Sequence, residues 1–299
     1  MRDTMPHPPE ARAGDDLAAV PPRRRRRLRL SMLPTLCTLG NSVCGFLAIC
    51  YAADAAVLLS VAATRSQGSE KLALAGWLLI VGMVFDMLDG RIARLTRSTS
   101  NFGGALDSLA DVVSFGMAPA LIAKTLCQDV LGWHADRVIF ATAAFFAACA
   151  TLRLARYNAE HEDPDQAVGS FRGLPTPGAA GVIIGLAISH QTLLNVLQPS
   201  ADMQVAAAIV ISLGLLLGLG LLMVSRVPFL HFANKFLSGR KPVGTVALFV
   251  LLFVLAYATG APDVLIAALA LVYALSGPIA VLPRLLRRKK DEPAPELFD

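Results

Sequence analysis

Charge is scarce in this chain. Of its 299 residues only 16% are Asp, Glu, Lys or Arg, while 55% are hydrophobic; a soluble domain carries about 25% charged and 45–50% apolar residues. That scarcity, with a mean hydropathy of +0.58, excludes an ordinary water-soluble domain. Cysteine is also sparse. Cys37, Cys44, Cys50, Cys127 and Cys149 are odd in number, lie in or beside apolar runs and include no C-x-x-C pair, which argues against a disulfide framework or a thiolate metal centre. Histidine offers no cluster: His7, His134, His161 and His231 fall in loops or tails, and His190, alone inside an apolar run, is expected to bond a neighbouring helix. The alternating pattern of a membrane β-barrel is missing. So is the internal repeat that builds inverted-repeat carriers. A cleavable signal peptide is not expected, because the first apolar run starts after residue 30 and is too long for an h-region.

What the chain does have is long, continuous apolar runs. They predict an all-α, polytopic transmembrane helical bundle of eight spans, at 34–57, 72–94, 105–127, 137–157, 177–197, 203–224, 243–260 and 263–283, each near the ~20 residues that a bilayer core requires. The last two form a hairpin around Gly260-Ala261-Pro262-Asp263. The organisation reads as a disordered basic tail (1–30), a six-span membrane domain (31–225), an additional C-terminal helical hairpin (226–285) and a charged tail (286–299).

Basic residues are placed unevenly. Arg23 to Arg27 are consecutive, and Arg284, Arg287, Arg288, Lys289 and Lys290 crowd the other end. With the N-terminus inside, one side of the membrane also receives Arg91, Arg94, Arg97, Arg153, Arg156, Arg172, Arg226, Lys235, Arg240 and Lys241; the other receives Arg65, Lys71, Lys124 and Arg137. By the positive-inside rule both termini are cytoplasmic. The basic tracts suit anionic lipid headgroups of the bilayer; nucleic acid is not an expected partner, since the tracts abut spans and form no folded module.

Against this apolar background stands one acidic segment. Asp86, Asp89, Gly90, Ala93, Arg94, Gly103, Asp107 and Asp111 read D-x-x-D-G-x-x-A-R-x₈-G-x₃-D-x₃-D, from the end of the second span into the start of the third. An acidic side chain near a bilayer centre costs about 2.5–3.5 kcal/mol even on the lenient insertion scale. Eight fixed residues at about one in twenty each arise by chance on the order of once in 10¹⁰ starting points. Asp86 and Asp89 share one helix face, and Asp107 and Asp111 share another. The polar, turn-prone stretch Thr96-Arg97-Ser98-Thr99-Ser100-Asn101 makes the two helices antiparallel neighbours with facing carboxylates. Carboxylates without nearby His or Cys suit Mg²⁺, Mn²⁺ or Ca²⁺ rather than zinc. Gly90, Ala93 and Gly103 give a low floor for a ligand, and Arg94 can hold a phosphate bidentately. Together they describe a diphosphate site at the cytoplasmic end of the bundle.

This segment resembles, at every fixed position, the hallmark motif of the CDP-alcohol phosphotransferase family. The resemblance implies a membrane enzyme that moves a phosphoryl-linked group from a CDP-linked donor to an alcohol and releases CMP. It implies Asp86, Asp89 and Asp107 as principal ligands of Mg²⁺ or Mn²⁺ (two ions), joined by Asp111, and Asp111 as general base. Gly90, Ala93, Arg94 and Gly103 would line the nucleotide and phosphate site, and a homodimer is implied.

Four further segments resemble the phosphatidylserine synthase branch: 33–41 (LPTLCTLGN), 114–119 (SFGMAP), 152–158 (LRLARYN) and 171–177 (FRGLPTP). The branch implies CDP-diacylglycerol and L-serine as substrates and a bacterial inner membrane with the site facing the cytoplasm. Thr38 and Asn41 would bond the cytidine or headgroup, or else join helices. Arg153, Arg156 and Asn158 would hold the acceptor carboxylate or the lipid phosphate, or else Arg153 and Arg156 would anchor a helix end. Another acceptor, such as glycerol 3-phosphate, inositol phosphate or choline, is the near alternative. A divalent-cation transporter is the alternative of another class.

Overall fold

A computed structural model of the chain describes residues 23–96, 101–131, 136–162, 173–225, 227 and 262–291. Among them all regular structure is helical. Helix α1 covers Arg23–Leu59, α2 Arg65–Thr96, α3 Asn101–Asp111 and α4 Ala118–Leu131; α5 covers Asp136–Glu162, α6 Thr176–Leu197, α7 Ala201–Ile209, α8 Leu217–Val224 and α9 Pro262–Asp291. A π-helical turn, Val112–Met117, joins α3 to α4, and another, Val210–Leu216, joins α7 to α8. Among the described residues, seven stretches are long and apolar enough to cross a membrane: Met32–Leu59, Ala62–Thr96, Phe102–Gln128, Arg137–Ala159, Thr176–Leu197, Ala201–Val224 and Pro262–Ala280. The chain is an integral membrane protein. The seven stretches match the first six expected spans and the last; the expected span at 243–260 lies outside the described residues, as do the tail residues 1–22 and 292–299.

Residues 23–30 belong to α1 and residues 286–291 to α9, beyond the apolar span of each helix. Both segments are rich in Arg, Lys and Leu, which are good helix formers, so each helix runs on past its apolar part.

Small side chains make up much of the interior, beside large ones such as Phe115 and Phe146. Ala48, Ala52, Ala75, Ala118, Ala150 and Ala187 are wholly buried, whereas Phe46, Val57, Phe140, Leu221 and Val272 are more than half exposed. Such an inside-out distribution fits a lipid solvent: tails are as apolar as leucine, so helices associate through close packing rather than by escape from water. Gly185 meets the backbone of α9 so closely that a Cβ there would lie 2.5 Å from the Ala267 Cα. Gly45 does the same for α1, where a Cβ would collide with the Ser114 hydroxyl of the first π-turn.

The arrangement of α1, α2 and α3 sets up the site. α1 packs along α2 and also against α3 and the following π-turn, while direct contact between α2 and α3 is slight. The carboxylates of α2 and α3 face each other as expected, but the two backbones touch little. Their acidic ends converge, but α1 is the shared surface that holds them. Side chains as polar as carboxylates need room and partners, which a tight α2–α3 seam would deny them.

The close approach at Gly45 yields a test. Gly45→Val should lower the thermal midpoint of the purified protein in detergent, by the equivalent of about 1–3 kcal/mol for overpacking. Gly218→Ala, where an added Cβ meets nothing within 4 Å, should leave it unchanged or slightly raised. Equal midpoints for the two variants would contradict the packing described.

Candidate active site

Asp86, Asp89 and Asp107 come together, each offering an oxygen within 4.8 Å of the others. Asp86 and Asp89 reach the point from successive turns of α2, and Asp107 from the middle of α3. Ionised carboxylates at this spacing repel by about 3 kcal/mol per pair at an effective dielectric near 20. Asp89 is only 5% exposed, and Asp107 Oδ1 is buried with no hydrogen-bond partner. An orphaned buried carboxylate oxygen costs free energy unless something positive meets it. The donor set is all oxygen, as hard divalent cations prefer, so the residues present fit a metal ion of that class.

Asp111 stands one helical turn beyond Asp107 and is 9% exposed. It lies within electrostatic range of Asp86, Asp89 and Asp107 without joining their close group. Its Oδ1 accepts a hydrogen bond from Asn41 Nδ2 at 3.1 Å.

The first helix supplies the supports. Thr38 donates its hydroxyl to Asp89 Oδ2 at 2.8 Å. Asn41, wholly buried, reaches Asp111, and its own carbonyl accepts from Ser114 Oγ at 2.9 Å. Gly82 on α2 makes room for this asparagine, since a Cβ there would sit 2.9 Å from Asn41 Oδ1. Thr38 and Asn41 thereby join α1 to α2 and α3. Thr38 Oγ1 and Asn41 Nδ2 meet the carboxylates, one residue per acidic helix, while Asn41 Oδ1 is buried without a hydrogen-bond partner.

Gly90 is half-buried and open, with nothing nearer to an added Cβ than Arg94 Nη2 at 3.9 Å. The exposed Arg94 side chain thus folds back toward Gly90. Ala93 and Gly103 are half-buried.

Asn158, at the end of α5, exchanges hydrogen bonds with Ser108: Nδ2 donates to Oγ at 2.8 Å, and Oγ lies 3.1 Å from Oδ1. This holds α5 beside α3, next to Asp107. Arg153 turns into the bundle and donates from Nη1 to Thr176 Oγ1 at 2.7 Å, whereas Arg156 is exposed.

The segment 171–177 is explained from Gly173 onward. Gly173 has φ +89°, a left-handed conformation that favours glycine. A Cβ there would lie 2.5 Å from the Met223 carbonyl oxygen. Its N–H donates to Val227 O at 2.8 Å, and that of Leu174 to Leu222 O at 3.0 Å. A carbonyl at the end of α8 is thereby satisfied, and Thr176 is fixed under Arg153.

His190 lines a mainly apolar cavity of about 560 Å³ at the other end of the helices, with Arg65, Leu194 and Met203. It is remote from the acidic group. The sequence reading did not single out Ser108, Thr176 or Gly82. The first two sit beside or inside quoted motifs, so adjacency was the available signal; Gly82 offered none.

Residues 31–219 match the CDP-alcohol phosphatidyltransferase family. A CDP-diacylglycerol–serine O-phosphatidyltransferase of Helicobacter pylori is 34% identical over 203 residues, covering 68% of this chain and 73% of the relative. Enzymes of the same name from Mycobacterium tuberculosis (35% over 170 residues; 55% and 52% covered) and Bacillus subtilis (28% over 215 residues; 71% and 99% covered) are also similar.

Since Thr38 holds Asp89 in place, Thr38→Val should weaken Mn²⁺ binding by about 10–100-fold, the usual effect of losing a partner behind a metal ligand. Isothermal titration of the purified protein measures this. Unchanged affinity in a folded variant would contradict the support described.

Proposed function

The chain belongs to the CDP-alcohol phosphatidyltransferase family, and on that premise we propose that it transfers the phosphatidyl group of CDP-diacylglycerol to L-serine, giving phosphatidylserine and CMP. The observation that carries the reading is the convergence of Asp86, Asp89 and Asp107 beside a separate, buried Asp111. One group of acids is arranged to hold cations, and another acid stands next to it to take a proton. The relatives named above support serine as the acceptor.

In this reading Asp86, Asp89 and Asp107, with Asp111 at their edge, hold two Mg²⁺ or Mn²⁺ ions. Bound there, the ions neutralise diphosphate charge and make CMP a better leaving group. Arg94, with Gly90, Ala93 and Gly103 as a low floor, receives the phosphates and the nucleotide. Thr38 and Asn41 bear on the nucleotide through the carboxylates they hold. Asp111 has one oxygen committed to Asn41 and takes the serine hydroxyl proton on the other. The hydroxyl oxygen forms a bond to the lipid-linked phosphorus, the anhydride bond to CMP breaks, and CMP leaves with the electron pair. Phosphoryl transfer depends chiefly on positioning and charge stabilisation, so direct attack suffices. Arg153, Arg156 and Asn158 mark the acceptor end.

The site opens toward the cytoplasm, as the loop arginines suggest, in a bacterial inner membrane, with the enzyme working as a homodimer. A cation carrier is disfavoured. Its site would be expected near mid-membrane, whereas Asp86 and Asp89 lie in the last third of the Ala62–Thr96 span, and Asp107 lies near the start of Phe102–Gln128.

The purified protein, given CDP-diacylglycerol with serine, glycerol 3-phosphate, inositol phosphate or choline in parallel, should release CMP with serine. EDTA should abolish release, and Mn²⁺ or Mg²⁺ should restore it. Release only with another acceptor would contradict serine, and full activity in EDTA would contradict the metal site. Asp111→Asn should reduce turnover by about 10²–10⁴-fold, the usual contribution of a general base, while Mn²⁺ still binds. Asp107→Asn should lower both turnover and Mn²⁺ affinity. Wild-type turnover in either variant would remove that residue from the mechanism.

A further inference from the structure

The cavity of about 560 Å³ at the far end of the helices has no part in the chemistry described above. It falls within the range of about 300–1,000 Å³ usual for small-ligand sites. Leu126 and Ala208 give it a buried floor, while Arg65, Met203 and Ala207 are exposed, so it opens as a cleft at the surface of the bundle.

Its lining is graded along the helices. Arg65, Gln198 and Gln204 stand at helix ends: on the first residue of α2, just past the last residue of α6 and in the first turn of α7. Leu186 and Ile211 line it from the middle of two membrane-spanning stretches. His190 lies between the polar rim and the apolar end. The α6–α7 connection that frames the mouth is held in place. Gln204 Nε2 donates to Pro199 O at 3.1 Å, and the Met203 N–H donates to Ser200 Oγ at 3.3 Å.

The cleft is also far from the acidic group. Arg65 and Asp86 lie on one unbroken helix, twenty-one residues apart, which is about 30 Å along its axis. That is about the thickness of a bilayer's hydrocarbon core. A lipid whose headgroup meets the carboxylates spans one leaflet, half that distance. A lipid of the opposite leaflet enters the cleft directly.

We propose that the cleft binds an anionic phospholipid of the leaflet opposite the acidic site, with its phosphate at Arg65, Gln198 and Gln204 and one acyl chain against α6 and α7. Among the lining residues Arg65 is the one permanent charge, and none is a carboxylate. A guanidinium carries five donors, enough for a partner within the protein and a phosphate as well. A soluble anion would make no use of the leucines, and a wholly apolar ligand would make no use of the rim. A cationic headgroup would be repelled. Bound there, the lipid ties α2, which carries Asp86 and Asp89, to the α6–α7 hairpin.

Photolabelling of the full-length protein in nanodiscs tests this. One sample holds a phosphatidylglycerol with a diazirine near the end of one acyl chain, and the other a phosphatidylcholine with identical chains. Peptide mass spectrometry locates the adducts. Phosphatidylglycerol should label Leu186, Leu194 or Ile211 about tenfold more than phosphatidylcholine, as a charge-assisted hydrogen bond implies. Arg65→Gln should remove that preference. Arg137→Gln, at an exposed position that does not line the cleft, should keep it. Ala207→Trp, which fills the cleft from an exposed position, should block labelling there by both lipids, and excess inorganic phosphate should displace neither. Equal labelling by the two lipids would reduce the cleft to a place that any tail enters. No labelling there by either would leave it to another segment of the chain or to a second copy. Either result would overturn the proposal. So would an unchanged preference in Arg65→Gln, undiminished labelling in Ala207→Trp, or displacement by inorganic phosphate alone.

Discussion

Carboxylates placed among membrane-spanning helices must be held, or the helices will not stay together. Here the holding is done by α1. Thr38 bonds Asp89 on α2, and Asn41 bonds Asp111 on α3, both from buried positions on one helix face. Each hydrogen bond to a charged group contributes about 1.5–3 kcal/mol, on the scale of the cost of one acidic residue in a bilayer. α1 thus does for these acids what water would do elsewhere. The three oxygens that remain close together, from Asp86, Asp89 and Asp107, are left for a cation.

The rest of the bundle keeps that arrangement in register. Alanine and glycine let α1 approach α2 and the π-turn closely, and the Ser114–Asn41 bond ties the turn to the helix that bears Asn41. The π-turn follows Asp111 directly and precedes Pro119, which has no N–H to give to a regular helical ladder. Such turns recur at functional sites, and this one shifts the chain just where the buried acid must face α1. Gly173 and Leu174 likewise tie the start of α6 to the end of α8, so that Thr176 meets Arg153.

Much of this was legible in the sequence. Length and hydropathy set the spans, because a lipid core demands some twenty apolar residues whatever their order. The acids of the site stood out because charge is so rare in such runs. What periodicity could not say is which helix lies between which. The acids were expected to face each other, and oxygens of Asp86, Asp89 and Asp107 do meet; that α1 is the common partner of α2 and α3 was not foreseen. Thr38 and Asn41 were noticed, with helix joining as one of their two roles, but no spacing rule could link residue 38 to residue 89. Nor could one link Arg153 to Thr176 or Gly178 to Tyr273, since those contacts exist only once α5, α6 and α9 are packed.

The central claim is that the oxygens of Asp86, Asp89 and Asp107 are gathered for a divalent cation. Anomalous diffraction at the manganese edge, from crystals of the protein grown with Mn²⁺, tests it most directly. The account predicts an anomalous peak bounded by those three carboxylates, near Asp111. Saturating Mn²⁺ with no peak there, or with the bound ion at another set of residues, would contradict it.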